Sequence, residues 1–438
     1  MKTNNPLWKF FSSVNLALFT LGCLAVTSII GTLIPQKETA EFYISSYGAK
    51  TAQFFEILDI TSMYTSWWFL SLLALLSMNL IVCSLDRFPG LWRQIQADNL
   101  QLSLDRIAKN RLSASRTSSL GVKEASIKLH ELLSARGWKP QSREKDGALL
   151  LFAQKTPWSR SGVYIVHLSI LVIFAGAIYG QLTGFKASIL LPELQSSNSV
   201  YSYKGGEPID LGFTVRCNRF EIDFYANGMP KEYMSSLTVL ENDQVVEQKN
   251  IEVNHPLKYK GITFYQSSYQ GYSDFIFTLA EENGQPETFT GPYQKELVWE
   301  KENIRFGIIN LETVRDRVIR MKIWFNDGRG TPSQFWLENG EEAKVQRPDG
   351  TYIFSAKQRY ATGLQVAKDP GVWVVYAGCA LMLAGLYIAF FLSHKRIWLI
   401  LRPEDAGTLV EMRGSANKNR TAFEKQFHEL ADDICSDI

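Results

Sequence analysis

Five histidines occur among the 438 residues, and only His167 falls inside a long apolar run. It stands five positions after Gly162, about 7 to 8 Å along a helix rising 1.5 Å per residue. An ionisable side chain inside a bilayer is costly and as a rule faces a bundle interior, a cavity or a cofactor. Imidazole binds haem iron well and keeps its other ring nitrogen for an orienting hydrogen bond, so axial ligation of haem iron is the chemistry this position suits. The competing reading is a packing histidine bonded to a neighbouring helix carbonyl. His394 follows the last apolar run beside Lys395 and Arg396. Those neighbours favour a charged anchor at the membrane surface, with a second cofactor-binding histidine as the alternative. If His167 belongs to a bis-histidine site, a partner subunit then supplies the other ligand.

The remaining candidates point to bland roles. His255, in Asn254-His255-Pro256, reads as a solvated loop residue, and His130 and His428 lie on polar helical sequence. The five cysteines, Cys23, Cys83, Cys217, Cys379 and Cys435, form no CxxC and no zinc-type pairing. Cys217 shares an apolar strand face with Phe213 and Val215 and reads as a small buried hydrophobe. Gly176 and Gly180 make a small-xxx-small face that admits a closely packed helix, either from this chain or from a partner. There is no CxxCH for covalent haem, no phosphate-binding glycine loop, no serine elbow and no HExxH. A net charge of +2 implies no nucleic-acid partner. Few polar groups occur within the apolar runs, which argues against a solute channel.

Four apolar runs must position these residues: 14–34, 66–85, 162–182 and 371–392. Each is long enough to cross a hydrocarbon core of roughly 30 Å as a helix. The first is too long for a signal peptide and closes on Pro35 without a small-residue cleavage site, so it reads as a retained span. Segment 86–161 holds 14 Lys+Arg against 7 Asp+Glu, whereas 35–65 holds 2 against 4. Lysine and arginine accumulate on the cytoplasmic side. The expected topology therefore has residues 1–13, 86–161 and 393–438 in the cytoplasm, with 35–65 and 183–370 outside.

The expected fold is a membrane α-helical bundle of four transmembrane helices plus a large extracytoplasmic antiparallel β-domain, a sandwich or open barrel. In 86–161, Val122, Ala125, Leu129, Leu132 and Leu133 share a helical face, and Asp146-Gly147 sits between strand-like 138–143 and 148–154. These predict a small cytoplasmic αββ unit. In 183–370, apolar residues alternate at 213–217 and, after a register slip, at 220–224. Further strands are expected at 236–240, 245–253, 262–269, 275–279, 304–311, 318–325 and 352–356. Asn242-Asp243, Asn283-Gly284, Asp327-Gly328 and Asp349-Gly350 supply turns between many of them.

Together these residues resemble the ResB (CcsB) family of System II cytochrome c maturation over nearly the whole length. The resemblance rests on Gly31-Thr32-Leu33-Ile34-Pro35-Gln36, on 64–87 with Asn79-Leu80-Ile81-Val82-Cys83-Ser84, and on His167. Asn254 to Leu257 with Gly261, Phe264, Tyr265 and Gln266, and Asp369-Pro370-Gly371, complete it. It implies a multi-pass protein of the bacterial cytoplasmic (inner) membrane acting beside a ResC (CcsA) type protein that carries a tryptophan-rich haem loop. This chain lacks that loop; Trp67 and Trp68 are an interfacial pair. It further implies transiently bound haem b, apocytochrome c and a thiol-reducing thioredoxin-like protein as partners, and His167 as the family's transmembrane histidine. On that reading the chain is an accessory subunit of a haem lyase without an active site of its own. The rivals are a membrane-anchored protein-binding scaffold or sensor, and a transporter.

Overall fold

A computed structural model describes residues 5–203, 205–225, 229–314, 317–347, 350–405 and 407–437, with side chains to Ile434. The chain forms two compact units, one of residues up to Ala177 together with Trp373 onward, the other of Ile178–Val372.

Among the described residues four helices are long and apolar enough to cross a bilayer: Val14–Leu33, Trp67–Gln96, Gly162–Thr183 and Val372–Phe391. They match the expected runs, except that the second continues past Leu85 to Gln96 through Pro89. The first and second spans share an apolar core of Leu24, Met63, Phe69, Leu76 and Leu80, against which Ile170 and Phe174 of the third also pack. The loop between them is stapled down by Gln36. Its amide donates to the carbonyls of Ile34 (2.9 Å) and Ile60 (3.0 Å) and accepts from Met63 N at 3.0 Å. At Gly31 a Cβ would strike the end of the Met63 side chain, which packs directly over this glycine.

The third and fourth spans approach closely. A Cβ on Gly176 would meet Val375 N at 2.9 Å, one on Gly378 would meet Ile173, and one on Gly385 would meet Val166 N at 3.0 Å. Gly176 therefore serves contact within this chain's own helix pair, the point that spacing left open.

The expected αββ unit is present but is only part of a larger fold. Helix Val122–Ala135 precedes Gln141–Lys145 and Ala148–Lys155, which pair about Asp146-Gly147 with both residues at positive φ. The C-terminal segment, expected only as a tail, adds strands Lys395–Glu404 and Gly407–Ala416 and helix Arg420–Asp437. Strand Lys395–Glu404 pairs with Ala148–Lys155 on one side and Gly407–Ala416 on the other, and Leu112–Ser118 closes the five-stranded sheet. Ile397, Leu399 and Leu401 face the two helices, while Trp398 and Ile400 face Leu100 and Ile107. Burial on both faces explains the unbroken apolar run 397–401, which carries no alternation to read as a strand. Because 112–155 and 395–416 share one sheet, both lie on one side of the membrane.

The second unit is an antiparallel β-region, as expected, built from a ten-stranded and a four-stranded sheet with two apolar cores. Ile262–Glu281 and Gly350–Lys368 pair over most of their length and contribute to both cores. The two strands expected at 262–269 and 275–279 are thus one, broken by register shifts at Gln266/Ser268 and Gly271/Phe275. Likewise 213–217 and 220–224 belong to Pro208–Phe224, and the slip between them appears as the shift at Cys217/Arg219. Asn242-Asp243 makes the expected tight turn with both residues at positive φ. Asp349 lies outside the described residues, as does the side chain of Cys435.

Candidate functional site

Two helices build the surroundings of His167. In the second span, Ser84, Arg87 and Phe88 fall at i, i+3 and i+4 and so share a face. In the third, Tyr164 and His167 are one turn apart. Ser84 Oγ lies 2.9 Å from His167 Nδ1. His167 is half-buried, and its Nε2 takes no hydrogen bond from any described residue. When Nδ1 donates to Ser84, Nε2 carries the free lone pair that a metal requires.

A run of aromatic rings continues from the histidine. Tyr164 meets His167 edge-on at 6.2 Å between centroids, Phe88 meets Tyr164 at 5.3 Å, and Trp92 stacks on Phe88 at 5.9 Å. The Arg87 guanidinium lies within electrostatic reach of both Tyr164 and His167. Among the described residues no carboxylate pairs with Arg87, which is exposed. Five residues before Ser84, Asn79 is 1% exposed and donates to the Phe11 (2.7 Å) and Ser13 (2.9 Å) carbonyls. It thereby ties the chain entering span one to the helix whose Ser84 contacts His167. Residues 79–84 thus fix both the bundle and the imidazole.

His394 has a different setting. It is 2% exposed, its Nδ1 accepts from Arg160 Nε at 3.0 Å, and its Nε2 is 2.9 Å from Gln154 Oε1. A protonated Nε2 donating to Gln154 satisfies both contacts, so the ring is neutral with neither nitrogen spare. Burial, then the Arg160 and Arg396 charges, push its pKa down to about 4. The histidine joins the start of the third span to strands Lys395–Glu404 and Ala148–Lys155.

The other candidates are structural. His255 is an exposed residue bridged to Glu252 in a turn. Cys217 is fully buried, and burial followed by the nearby Glu193 carboxylate raises its thiol pKa to about 12, which leaves it protonated and unreactive. Gln266 is the hub of a buried network, accepting from Ser235 Oγ (2.5 Å) and Thr362 Oγ1 (2.9 Å) at a register shift of its strand. Among the described residues no group of three or more His, Cys, Asp and Glu side chains converges as a metal site. Sequence reasoning missed Ser84, Arg87 and Tyr164 as neighbours of His167, although Ser84 and Arg87 close the quoted second-span motif.

The combination defines a multi-span membrane protein with a large β-region and one imidazole presented between two spans with a nitrogen to spare. A ResB-like family model matches residues 14–329 and 314–428, and the chain belongs to that family. It is similar to the cytochrome c biogenesis protein CcsB of Microcystis aeruginosa, at 30% identity over 97% of this chain and 96% of the relative. The protein of the same name from Crocosphaera subtropica is 29% identical over 96% and 92% of the two chains. That from Prochlorococcus marinus is 28% identical over 98% and 99%.

Proposed function

We propose that this chain is a subunit of a membrane complex for c-type cytochrome maturation and that His167 is one axial ligand of the haem the complex handles. The observation that carries the reading is the Ser84–His167 contact, which orients the ring and leaves Nε2 unengaged. The donor set fits haem: a neutral imidazole in an apolar wall, aromatic rings beside it, and Arg87 placed for an anionic propionate. Haem b, when bound, supplies the iron and the vinyl groups that become thioether-linked to a CxxCH apocytochrome. Ser84 holds the ring through Nδ1, the spans exclude water, and Tyr164 and Phe88 shape the wall. His394 is not assigned as a ligand, because coordination would break its bond to Arg160 or to Gln154.

The excess of basic residues in 86–161 supports a topology with both termini and the five-stranded sheet in the cytoplasm and Ile178–Val372 mostly outside. In that orientation His167 lies in the cytoplasmic half of its span, suited to receiving haem from that side. The names of the relatives support cytochrome c maturation as the setting. The partners are a CcsA-type membrane protein supplying further ligands and the ligation chemistry, apocytochrome c, and a thioredoxin-like reductant.

The test is a haem spectrum of the complex purified by co-expression with its CcsA-type partner. The wild type should carry a Soret band that His167→Ala loses or shifts. An unchanged spectrum with the partner still bound overturns the ligand assignment and leaves a protein-binding scaffold.

A further inference from the structure

Where the fourth span ends, a cavity of about 220 Å³ is lined by Lys155, Thr156, Phe391, Leu392, Lys395 and Gln426. Lys155 and Lys395 are directly opposed on neighbouring strands. That register sets like charges against each other, which by itself is destabilising. Among the described residues neither ammonium pairs with a carboxylate. Lys155 Nζ donates to the Arg136 carbonyl at 2.6 Å and stands over the Trp138 ring, and Lys395 Nζ donates to Gln426 Oε1 at 2.5 Å. An ammonium has three donors, so each retains capacity for an outside acceptor. Burial, then the Lys395 charge, lowers the pKa of Lys155.

The other side of the cavity is greasy. Phe390 and Phe391 are 74% and 75% exposed at the last turn of the apolar helix, the level at which a span leaves the hydrocarbon. Two uncompensated lysines beside an apolar rim at that depth match an anionic phospholipid, whose phosphate needs cations and whose acyl chains need the span. We propose that Lys155 and Lys395 bind the headgroup phosphate of an anionic phospholipid whose chains run along Phe391. The phosphate relieves the repulsion that the strand register imposes, and it joins the five-stranded sheet to the bilayer surface. The site is independent of His167.

The test uses the full-length chain, delipidated in detergent, with bound lipid counted by native mass spectrometry. Phosphatidylglycerol should bind about 10- to 30-fold more tightly than phosphatidylcholine, from roughly a factor of five per lysine near the surface. Lys155→Gln/Lys395→Gln should reduce that preference to less than about threefold, and Lys123→Gln, on an exposed helix of the same unit, should leave it intact. Should the double variant fail to fold, each single glutamine variant is read instead, with an expected loss of about fivefold. Equal binding of the two lipids by the wild type overturns the proposal. So does a preference that survives the lysine changes, or one that Lys123→Gln also removes. Abolition by millimolar inorganic phosphate would overturn the lipid assignment by showing a site for free anions.

Discussion

His167 and His394 show how two histidines of one compact unit are held in opposite ways. His167 has one nitrogen held by Ser84 and the other unengaged, in a half-buried wall between spans. His394 has both nitrogens engaged, by Arg160 and Gln154, and is almost fully buried. Around His167 no described residue hydrogen-bonds Nε2. Around His394, the start of the third span and the strand Ala148–Lys155 supply a partner for each ring nitrogen. What distinguishes the two imidazoles is therefore the hydrogen-bond inventory around each rather than its depth alone.

The largest expected effect separates the two directly. His167→Ala should lower haem retention by more than about 100-fold, above the usual cost of losing an orienting partner. His394→Ala should leave the haem spectrum unchanged; equal losses at both sites would dissolve the contrast. His394→Ala should instead destabilise the five-stranded sheet by about 2 to 3 kcal/mol, because Arg160 and Gln154 are left without their partner. Faster hydrogen exchange in Ala148–Lys155 and Lys395–Glu404 would register that loss. Next comes Ser84→Ala, expected to weaken haem retention about tenfold while the fold stays intact. Wild-type retention in that variant would show that the ring needs no tether.

The smallest effect is pH-linked. The folded pKa of His394, about 4, lies below the ordinary histidine value of 6.5. The neutral ring is favoured in the fold, so its contribution is complete above pH 6.5 and declines as pH falls toward 4. Between pH 6.5 and 5.5 the sheet should lose about 1 kcal/mol. Hydrogen exchange in the same strands checks this, and His394→Gln should flatten the dependence.

Much of this arrangement was legible in the residues. The four spans were, because a bilayer accepts only long uncharged runs and the ends are marked by Pro35, Asp86 and Lys395. The β-region was legible from alternation, and even the slip near Cys217 left its mark. Strand Lys395–Glu404 was not, since burial of both faces erases the period of two, and its position just after a span made it resemble a basic tail. The site was half legible. His167 stood out by its isolation, but Ser84 and Arg87 reach it only through the crossing of two helices, and no spacing within either helix encodes that.

The five-stranded sheet has a consequence for biosynthesis. Its central strand, Lys395–Glu404, arrives long after its neighbour Ala148–Lys155, and Gln154 and His394 meet across 240 positions of chain. While the ribosome is still extending the chain, Ala148–Lys155 presents an open edge with no mate. Completion of the sheet thus waits until the fourth apolar helix, Val372–Phe391, and the strand after it have been made.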